Sequence, residues 1–416
     1  MKDIKWAAIQ PLTGGMYLGA EEAIGHPAEF ILSYPHLADE NNNEYNLLQY
    51  LKKHNRCPQY YTLDRGMFDA DFDMSPNISP EKPDYYGLDL VVAVPVCSGL
   101  SMSTKASSDT KQARNNNMLY ITQYVLEVIQ PKIYVFENAP TLFGKRGQQL
   151  ITTFNDMGEK YGYSVIYYKT DTRLHDNCQL RPRTFVIFIR HTTACKMERL
   201  DEFEFYNNSL TPQQFFDSLD YDDTVTQQEP VKTYAQNKVI LDFVQDEFGD
   251  DWFNHLPTCN IIEYCIKNNL YCKLLDYARN YNDSEISIKA YNHIKYIGDT
   301  LAAGRNPYSN SCSVRKNYMK AVQFRAIPNM INPKTHNICS IRDLLSMMGM
   351  PTDFEFYGDN VAKIGQNVPA HTAKFIVQQA IKSYIKTQIG DIDTTCNVIY
   401  QDNIKQKTYN NFSDIL

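Results

Sequence analysis

At 416 residues, with 43% hydrophobic and 21% charged residues, the chain is too long for one small core and has the composition of a folded soluble protein. Its formal net charge of −7 does not favour nucleic acid, yet Arg173, Arg181, Arg183, Arg190, Lys196 and Arg199 crowd one short stretch, enough for a basic cleft on an acidic protein. No run approaches the roughly 18 apolar residues of a membrane span, and the opening apolar run is broken by Thr13-Gly14-Gly15 before it could act as a secretory signal; a cytoplasmic setting without a membrane partner is expected.

From residue 1 to about 190, apolar runs alternate with helical patterns, the mark of βαβ units around a mainly parallel sheet. The front run Ala8-Ile9-Gln10-Pro11-Leu12-Thr13-Gly14-Gly15 leads into Leu18-Gly19-Ala20-Glu21. The clearest strand, Leu90 to Val94, is stopped by Pro95. Met118, Ile121, Tyr124, Val125 and Val128 then share a helical face, and a second strand, Ile133 to Phe136, ends at Glu137-Asn138. Tyr163 to Tyr168 and Thr184 to Ile189 add β-branched and aromatic strands. From about 191 to 335 the chain is rich in Asn, Tyr, Asp and Gln and loses βα alternation, which predicts a smaller, irregular second lobe. Regular signals return at Ile341 to Met348, a helix ended by Gly349 and Pro351, and at Thr372 to Ile385 after the turn Gly365 to Pro369. The expected division is therefore 1–190 as the main domain, 191–335 as the second lobe, 336–386 as a return segment completing the first, and 387–416 as a C-terminal tail.

Ligands of open α/β sheets bind beyond the carboxyl ends of the strands, and the two clearest strands lead there to Cys97 and to Glu137. A right-handed crossover between them puts both groups at one edge. The ten cysteines, at 57, 97, 178, 195, 259, 265, 272, 312, 339 and 396, form no CxxC pair, so no structural zinc site is expected and most read as buried, inert thiols. Cys97 differs because it follows a strand and precedes a helix, where backbone N–H groups favour the thiolate. Taken singly, Glu137, Arg181 and Arg183 could be surface charges and Asn367 a turn residue; their joint order and spacing carry the argument.

Pro95-Val96-Cys97-Ser98-Gly99-Leu100-Ser101 resembles the Pro-Pro-Cys-Gln-x-Phe-Ser loop of C5-cytosine-specific DNA methyltransferases. Glu137-Asn138-Ala139-Pro140 resembles that family's Glu-Asn-Val element, and Gln179-Leu180-Arg181-Pro182-Arg183 matches its Gln-x-Arg-x-Arg element. Ile331-Asn332-Pro333 through Ser340-Ile341-Arg342-Asp343 and Gly349-Met350-Pro351 is similar to the helix after its recognition lobe. Gly365-Gln366-Asn367-Val368-Pro369 matches its Gly-Asn-x-Val-Pro turn at all but one position. The resemblance, running from about residue 90 to 385, implies an α/β fold: a Rossmann-like S-adenosylmethionine-dependent methyltransferase sheet, with 191–335 as a target-recognition domain. It further implies that Cys97 adds to C6 of a cytosine flipped out of double-stranded DNA. Glu137, its pKa raised by burial, would protonate N3, while Arg183, or less readily Arg181, holds O2 and a nearby phosphate. Ser101, Asn138 and Gln179 would join as substrate contacts, and the acting unit is expected to be a monomer. Trp252, Tyr291, Arg305 and Arg325 are candidates, by residue type alone, for insertion or stacking at the target. A transfer-RNA branch would carry Cys-Phe-Thr, which is not found, and an enzyme for free nucleotides would have no use for the second lobe.

The family's front motif, Asp-x-Phe-x-Gly-x-Gly-Gly, is met only in part: Gln10 replaces the aromatic residue and Leu12 a glycine. The acidic residue expected about twenty positions later for the ribose hydroxyls is missing from Ile31 to Pro35, and Asp64 or Asp69 is left to supply an adenine contact. The cofactor contacts implied are Gly14, Gly15, Leu18, Asp64, Pro95, Asn367 and Val368. Ordinary S-adenosylmethionine held by substituted contacts is the favoured reading. A modified donor, such as the carboxylated form giving 5-carboxymethylcytosine, would instead need a basic partner such as Lys105 or Arg114. A catalytically silent DNA-binding homologue is the third reading, and intact Cys97, Glu137 and Arg183 argue against it.

Overall fold

A computed structural model describes residues 4–40, 42–63, 87–95, 100, 117–191, 202–219, 235–249, 258–303, 314–315, 318–322, 330, 332, 339–357, 361–387 and 397–415. Its strands are β1 (Trp6–Ile9), β2 (Phe30–Ser33), β3 (Gln59–Thr62), β4 (Leu90–Ala93), β5 (Ile133–Asn138), β6 (Tyr163–Asp171), β7 (His175–Asn177), β8 (Gln179–Leu180), β9 (Pro182–Arg190), β10 (Asn208–Ser209), β11 (Val314–Arg315), β12 (Tyr318–Lys320), β13 (Val398–Asp402) and β14 (Lys407–Tyr409). Nine of them form one sheet in the order β14-β13-β6-β9-β5-β4-β1-β2-β3. Within it, β1 to β6 and β13 run parallel, while β9 lies antiparallel between β5 and β6 and β14 antiparallel on β13.

The strands read as continuous apolar runs because both sheet faces are covered. On one face Trp6 and Ala8 pack with Met16, Tyr17 and Leu18 of the helix Gly15–Ile24 and with Ala373, Ile376 and Val377 of the helix Ala370–Thr387. On the other, Ala7 and Ile9 meet Met118, Ile121 and Val125 of the helical run 117–129 and Leu150, Ile151 and Phe154 of the helix Gln148–Tyr161. Ile9 lies opposite Ala93, and Ala93 opposite Phe136, so β1 and β4 end level with one another and β5 runs on through Glu137 and Asn138 at the same edge.

A separate core is built by the helices Ala235–Phe248, Thr258–Lys267, Tyr271–Arg279 and Ser284–Ala302 around Val239, Ile240, Phe243, Ile261, Ile262, Leu274, Ala290 and Ile294. This part of the stretch read as patternless is thus helical. Each helix buries only a narrow stripe, such as Val239, Ile240, Phe243 and Val244, between polar residues, which dims the periodic signal. The segment expected as a tail also has a place in the sheet: β13 pairs with β6, Val398 opposite Val165, and turns back into β14. No helix among the described residues is long and apolar enough to cross a membrane.

Candidate active site

Where β1 leaves the sheet, the backbone enters the left-handed region at Gln10 (φ 49°), Leu12 (φ 52°) and Gly14 (φ 107°) before the helix starts at Gly15. Only Gly14 does so without cost; an L side chain there costs about 1–2 kcal/mol. Leu12 therefore holds the shape of the glycine it replaces. At Gly15 a Cβ would lie 1.8 Å from the Val368 carbonyl oxygen, so only glycine fits. Its N–H donates to Asn367 Oδ1 at 2.7 Å, and the same oxygen accepts from the Val368 N–H at 3.0 Å. Thr13 Oγ1 donates to the Lys363 carbonyl at 3.1 Å. Gly14, Gly15, Asn367 and Val368 thus meet in one cradle, with Leu18 in the core behind it and Pro95 buried at the end of β4. Asp64 and Asp69 lie outside the described residues.

Sequence reasoning missed Glu44. It lies on the helix Asn43–Lys53, fully buried, and accepts from Ser33 Oγ at 2.6 Å and from the Tyr60 hydroxyl at 2.8 Å. Desolvation raises its pKa to about 7 against these two donors and the weaker pull of the Leu12 amide. A carboxyl group therefore does reach the end of β2, delivered by a helix instead of the strand. The spacing Glu44, Leu47, Leu51 on one helical face was the available signal, and it becomes visible only once that face is known to be buried. Close by, the Gln10 side-chain amide is buried with neither polar atom in a well-formed hydrogen bond, beside the Tyr34 hydroxyl, which accepts from Asn117 Nδ2 at 2.7 Å. A glycine cradle, a buried carboxyl and an orphaned amide at the ends of β1 and β2 fit a small polar cofactor such as S-adenosylmethionine.

On the β5–β9 side, Glu137 lies opposite Phe185 and Asn138 opposite Thr184. Arg183 Nε forms an ion pair with Glu137 Oε1 at 2.7 Å, while its Nη1 donates to the Pro182 carbonyl at 2.8 Å. Burial raises the Glu137 pKa, and the Arg183 and Arg181 charges only partly oppose it. The neighbouring residues are turned into the protein. Arg181, 1% exposed, donates from Nη2 to the carbonyls of Gly365 and Asn367, both at 2.7 Å, and from Nη1 to that of Val322 at 3.3 Å. Gln179 donates to the Met347 carbonyl at 3.1 Å and accepts from the Val322 N–H at 2.8 Å. Asn138 Nδ2 meets the Met118 sulfur at 2.8 Å, and its Oδ1 accepts from the Ala139 N–H.

Cys97, Ser101, Lys105 and Arg114 lie outside the described residues. Their described flanks are Pro95 and Leu100, whose carbonyl accepts from Thr141 Oγ1 at 2.7 Å just beyond the end of β5. Of the described cysteines, Cys178, Cys265 and Cys339 are buried with thiol pKa values pushed up by desolvation, and Cys57 and Cys272 are exposed. Tyr291 stands on the helix Ser284–Ala302 under the Arg279 guanidinium, 4.8 Å from its ring, packed against the separate helical core; Trp252, Arg305 and Arg325 lie outside the described residues.

A family model described as C-5 cytosine-specific DNA methylase matches residues 56–382. The Type II methyltransferase M.HgiDI of Herpetosiphon aurantiacus is 30% identical over 164 residues, 39% of this chain and 48% of that protein, so the match spans about half the length of that relative. Among solved structures, a protein described as a DNA modification methyltransferase encoded within a prophage, from E. coli, aligns with a TM-score of 0.51 at 15% identity, covering 92% of this chain and all of that one. A mutant of Spodoptera frugiperda DNMT2 aligns at 0.50 and 10% identity, covering 91% of this chain and 100% of its own. The Entamoeba histolytica methyltransferase EhMeth aligns at 0.51 and 10%, covering 92% and 99%. At such identities these structures speak to the fold alone, the Rossmann-like α/β architecture of methyltransferases. Matched by the family model from 56 to 382, more than three quarters of its length, the chain belongs to the C-5 cytosine-specific DNA methylase family.

Proposed function

We propose that the chain methylates C5 of cytosine in double-stranded DNA, with Cys97 as nucleophile, Glu137 as acid and Arg183 as the group that holds both Glu137 and the base. The observation that carries this reading is the pairing of buried Glu137 with half-buried Arg183, 2.7 Å apart, at the end of β5, the strand beside β4. Cytosine C5 is a poor nucleophile. Addition of the Cys97 thiolate to C6, with a proton passing from Glu137 to N3, turns the ring into an enamine whose C5 can attack a methyl group. A carboxyl group whose pKa burial has raised holds that proton to higher pH than an exposed carboxyl would, and the guanidinium keeps it oriented. After transfer the C5 proton leaves to solvent, the Cys97–C6 bond breaks and N3 returns its proton to Glu137, which regenerates both the thiolate and the acid. S-adenosylmethionine supplies an electrophilic methyl group when bound; Gly14, Gly15, Asn367 and Val368 would cradle it, with Gln10 and Glu44 the polar groups nearest the ends of β1 and β2.

Among the described cysteines, the buried ones are poor nucleophiles because desolvation holds them as thiols, which leaves the strand-end position of Cys97 better suited. The test is incubation of the purified protein with genomic DNA and S-adenosylmethionine, followed by mass spectrometry of the nucleosides. 5-Methylcytosine is expected with the natural chain and none with Cys97→Ala. A heavier cytosine adduct from cell-grown material would point to a carboxylated donor, and unmodified cytosine throughout would overturn the reading.

A further inference from the structure

Arg181 belongs to the Gln-x-Arg-x-Arg element, yet its guanidinium spends its donors on protein carbonyls from two distant parts of the chain. Nη1 reaches Val322, and Nη2 reaches both Gly365 and Asn367. Each end of this bridge continues. Asn367 accepts the Gly15 N–H through its side chain, so the turn that Arg181 grips is the one that shapes the cofactor cradle. Val322 donates its own N–H to Gln179, and β12, which ends two residues before it, pairs in parallel with β8, Met319 opposite Gln179. The stretch 303–337, which holds β11 and β12, carries Arg305, Arg315, Lys316, Lys320, Arg325 and Lys334 and no Asp or Glu, a net +6. The helical stretch 235–302 carries ten acidic and six basic residues, a net −4. Phosphate backbone favours the composition of the first over that of the second; within the first, Met319, Ala321 and Val322 are buried, so 318–322 is its anchor in the core. The Arg173 guanidinium, over the Tyr318 ring at 5.6 Å, adds a further cation beside it.

We propose that Arg181 is a positioning residue that couples the cofactor cradle to the buried segment 318–322, the anchor of the basic stretch 303–337. Filling the cradle then stiffens that segment, and whatever orders the segment tightens the cradle by the same factor, because binding linkage is reciprocal. The planar fork of an arginine is needed for this, since one guanidinium spans carbonyls that a lysine ammonium cannot reach together. The inference rests on the methyltransferase reading, and the experiment separates the two.

Amide hydrogen exchange of the full chain is followed with and without saturating S-adenosylhomocysteine. In the natural protein the ligand is expected to slow exchange over 13–18 and also, about fivefold or more, over 318–322. In Arg181→Lys, protection over 13–18 should persist while that over 318–322 disappears. Protection of 318–322 that survives in Arg181→Lys, or its absence in a natural protein protected at 13–18, overturns the coupling. No protection at 13–18 in the natural protein would sink the cofactor reading itself. Should Arg181→Lys fail to fold, Asn367→Ala serves, read at a ligand concentration that still protects 13–18: it leaves the carbonyls that Arg181 grips and removes the side-chain links to Gly15, Val368 and Met350. The same loss at 318–322 is expected from it, and retained protection there overturns the proposal.

Discussion

The two halves of the sheet's carboxyl edge are built to different standards. At β4, β5 and β9 the family's motifs are intact in sequence, and the structure pairs buried Glu137 with half-buried Arg183. At β1, β2 and β3 the family's side chains are replaced, yet the backbone keeps the shape they would have served: Leu12 holds a left-handed turn, and a carboxyl group still reaches Ser33, from Glu44 on a helix. The base-side half has little freedom because proton and nucleophile must meet atoms fixed by covalent chemistry. A cofactor's sugar and base can be held by any donor or acceptor that arrives at the right place.

The contrast is broken most directly on the base side. Cys97→Ala should abolish transfer, a loss of a thousandfold or more in kcat, while S-adenosylhomocysteine binding measured by calorimetry stays within about threefold; a variant that still methylates would end the assignment. Glu137→Gln should lower kcat about a hundredfold to a thousandfold. Since the acid form is the active one and burial raises its pKa, natural activity should fall as pH rises through that raised value, and the variant should lose this limb. Single-turnover rates across pH decide it.

On the cofactor side the largest effect is expected from Gly15→Ala, which drives a methyl group onto the Val368 carbonyl and should abolish measurable cofactor binding. Glu44 offers a subtler handle. Its pKa is raised to about 7 in the folded chain, above the unfolded value near 4.3. The folded state therefore keeps a proton that the unfolded state gives up. That contribution to stability is whole below the unfolded pKa and is lost as pH rises towards 7, about 3 kcal/mol over the window. Denaturant melts at pH 5 and 7.5 should show this slope in the natural chain and not in Glu44→Gln. The smallest effect is expected from Leu12→Gly, which relieves the left-handed side chain and should add about 1 kcal/mol, offset in part by the glycine's greater unfolded-state entropy. A large destabilisation would mean that the leucine side chain matters more than the turn.

These differences also explain how much the sequence alone revealed. β4, β5, β6 and β9 were legible because strands buried on both faces write uninterrupted apolar runs, and Glu137 and Arg183 because motif order survives without geometry. Arg181 was misjudged in kind: residue type and spacing suggest a substrate contact, but the guanidinium faces carbonyls nearly 140 positions away or more, which no local pattern announces. Glu44 was invisible for the same reason, its partners Ser33 and Tyr60 lying on two different strands. The helices between 235 and 302 were missed because their packing stripes are narrow, and β13 because a short run such as Val398 to Asp402 has no meaning without the β6 edge it joins.

The bond from Gly15 to Asn367 spans 352 positions. A chain emerging from the ribosome can form the turn after β1 early, but the residue that braces that turn is made 352 positions later. Contacts of such separation come late and carry a heavy loop-closure cost. Synthesis itself thus delays competence: until the 365–369 turn has been made, the pocket stays open and unbraced.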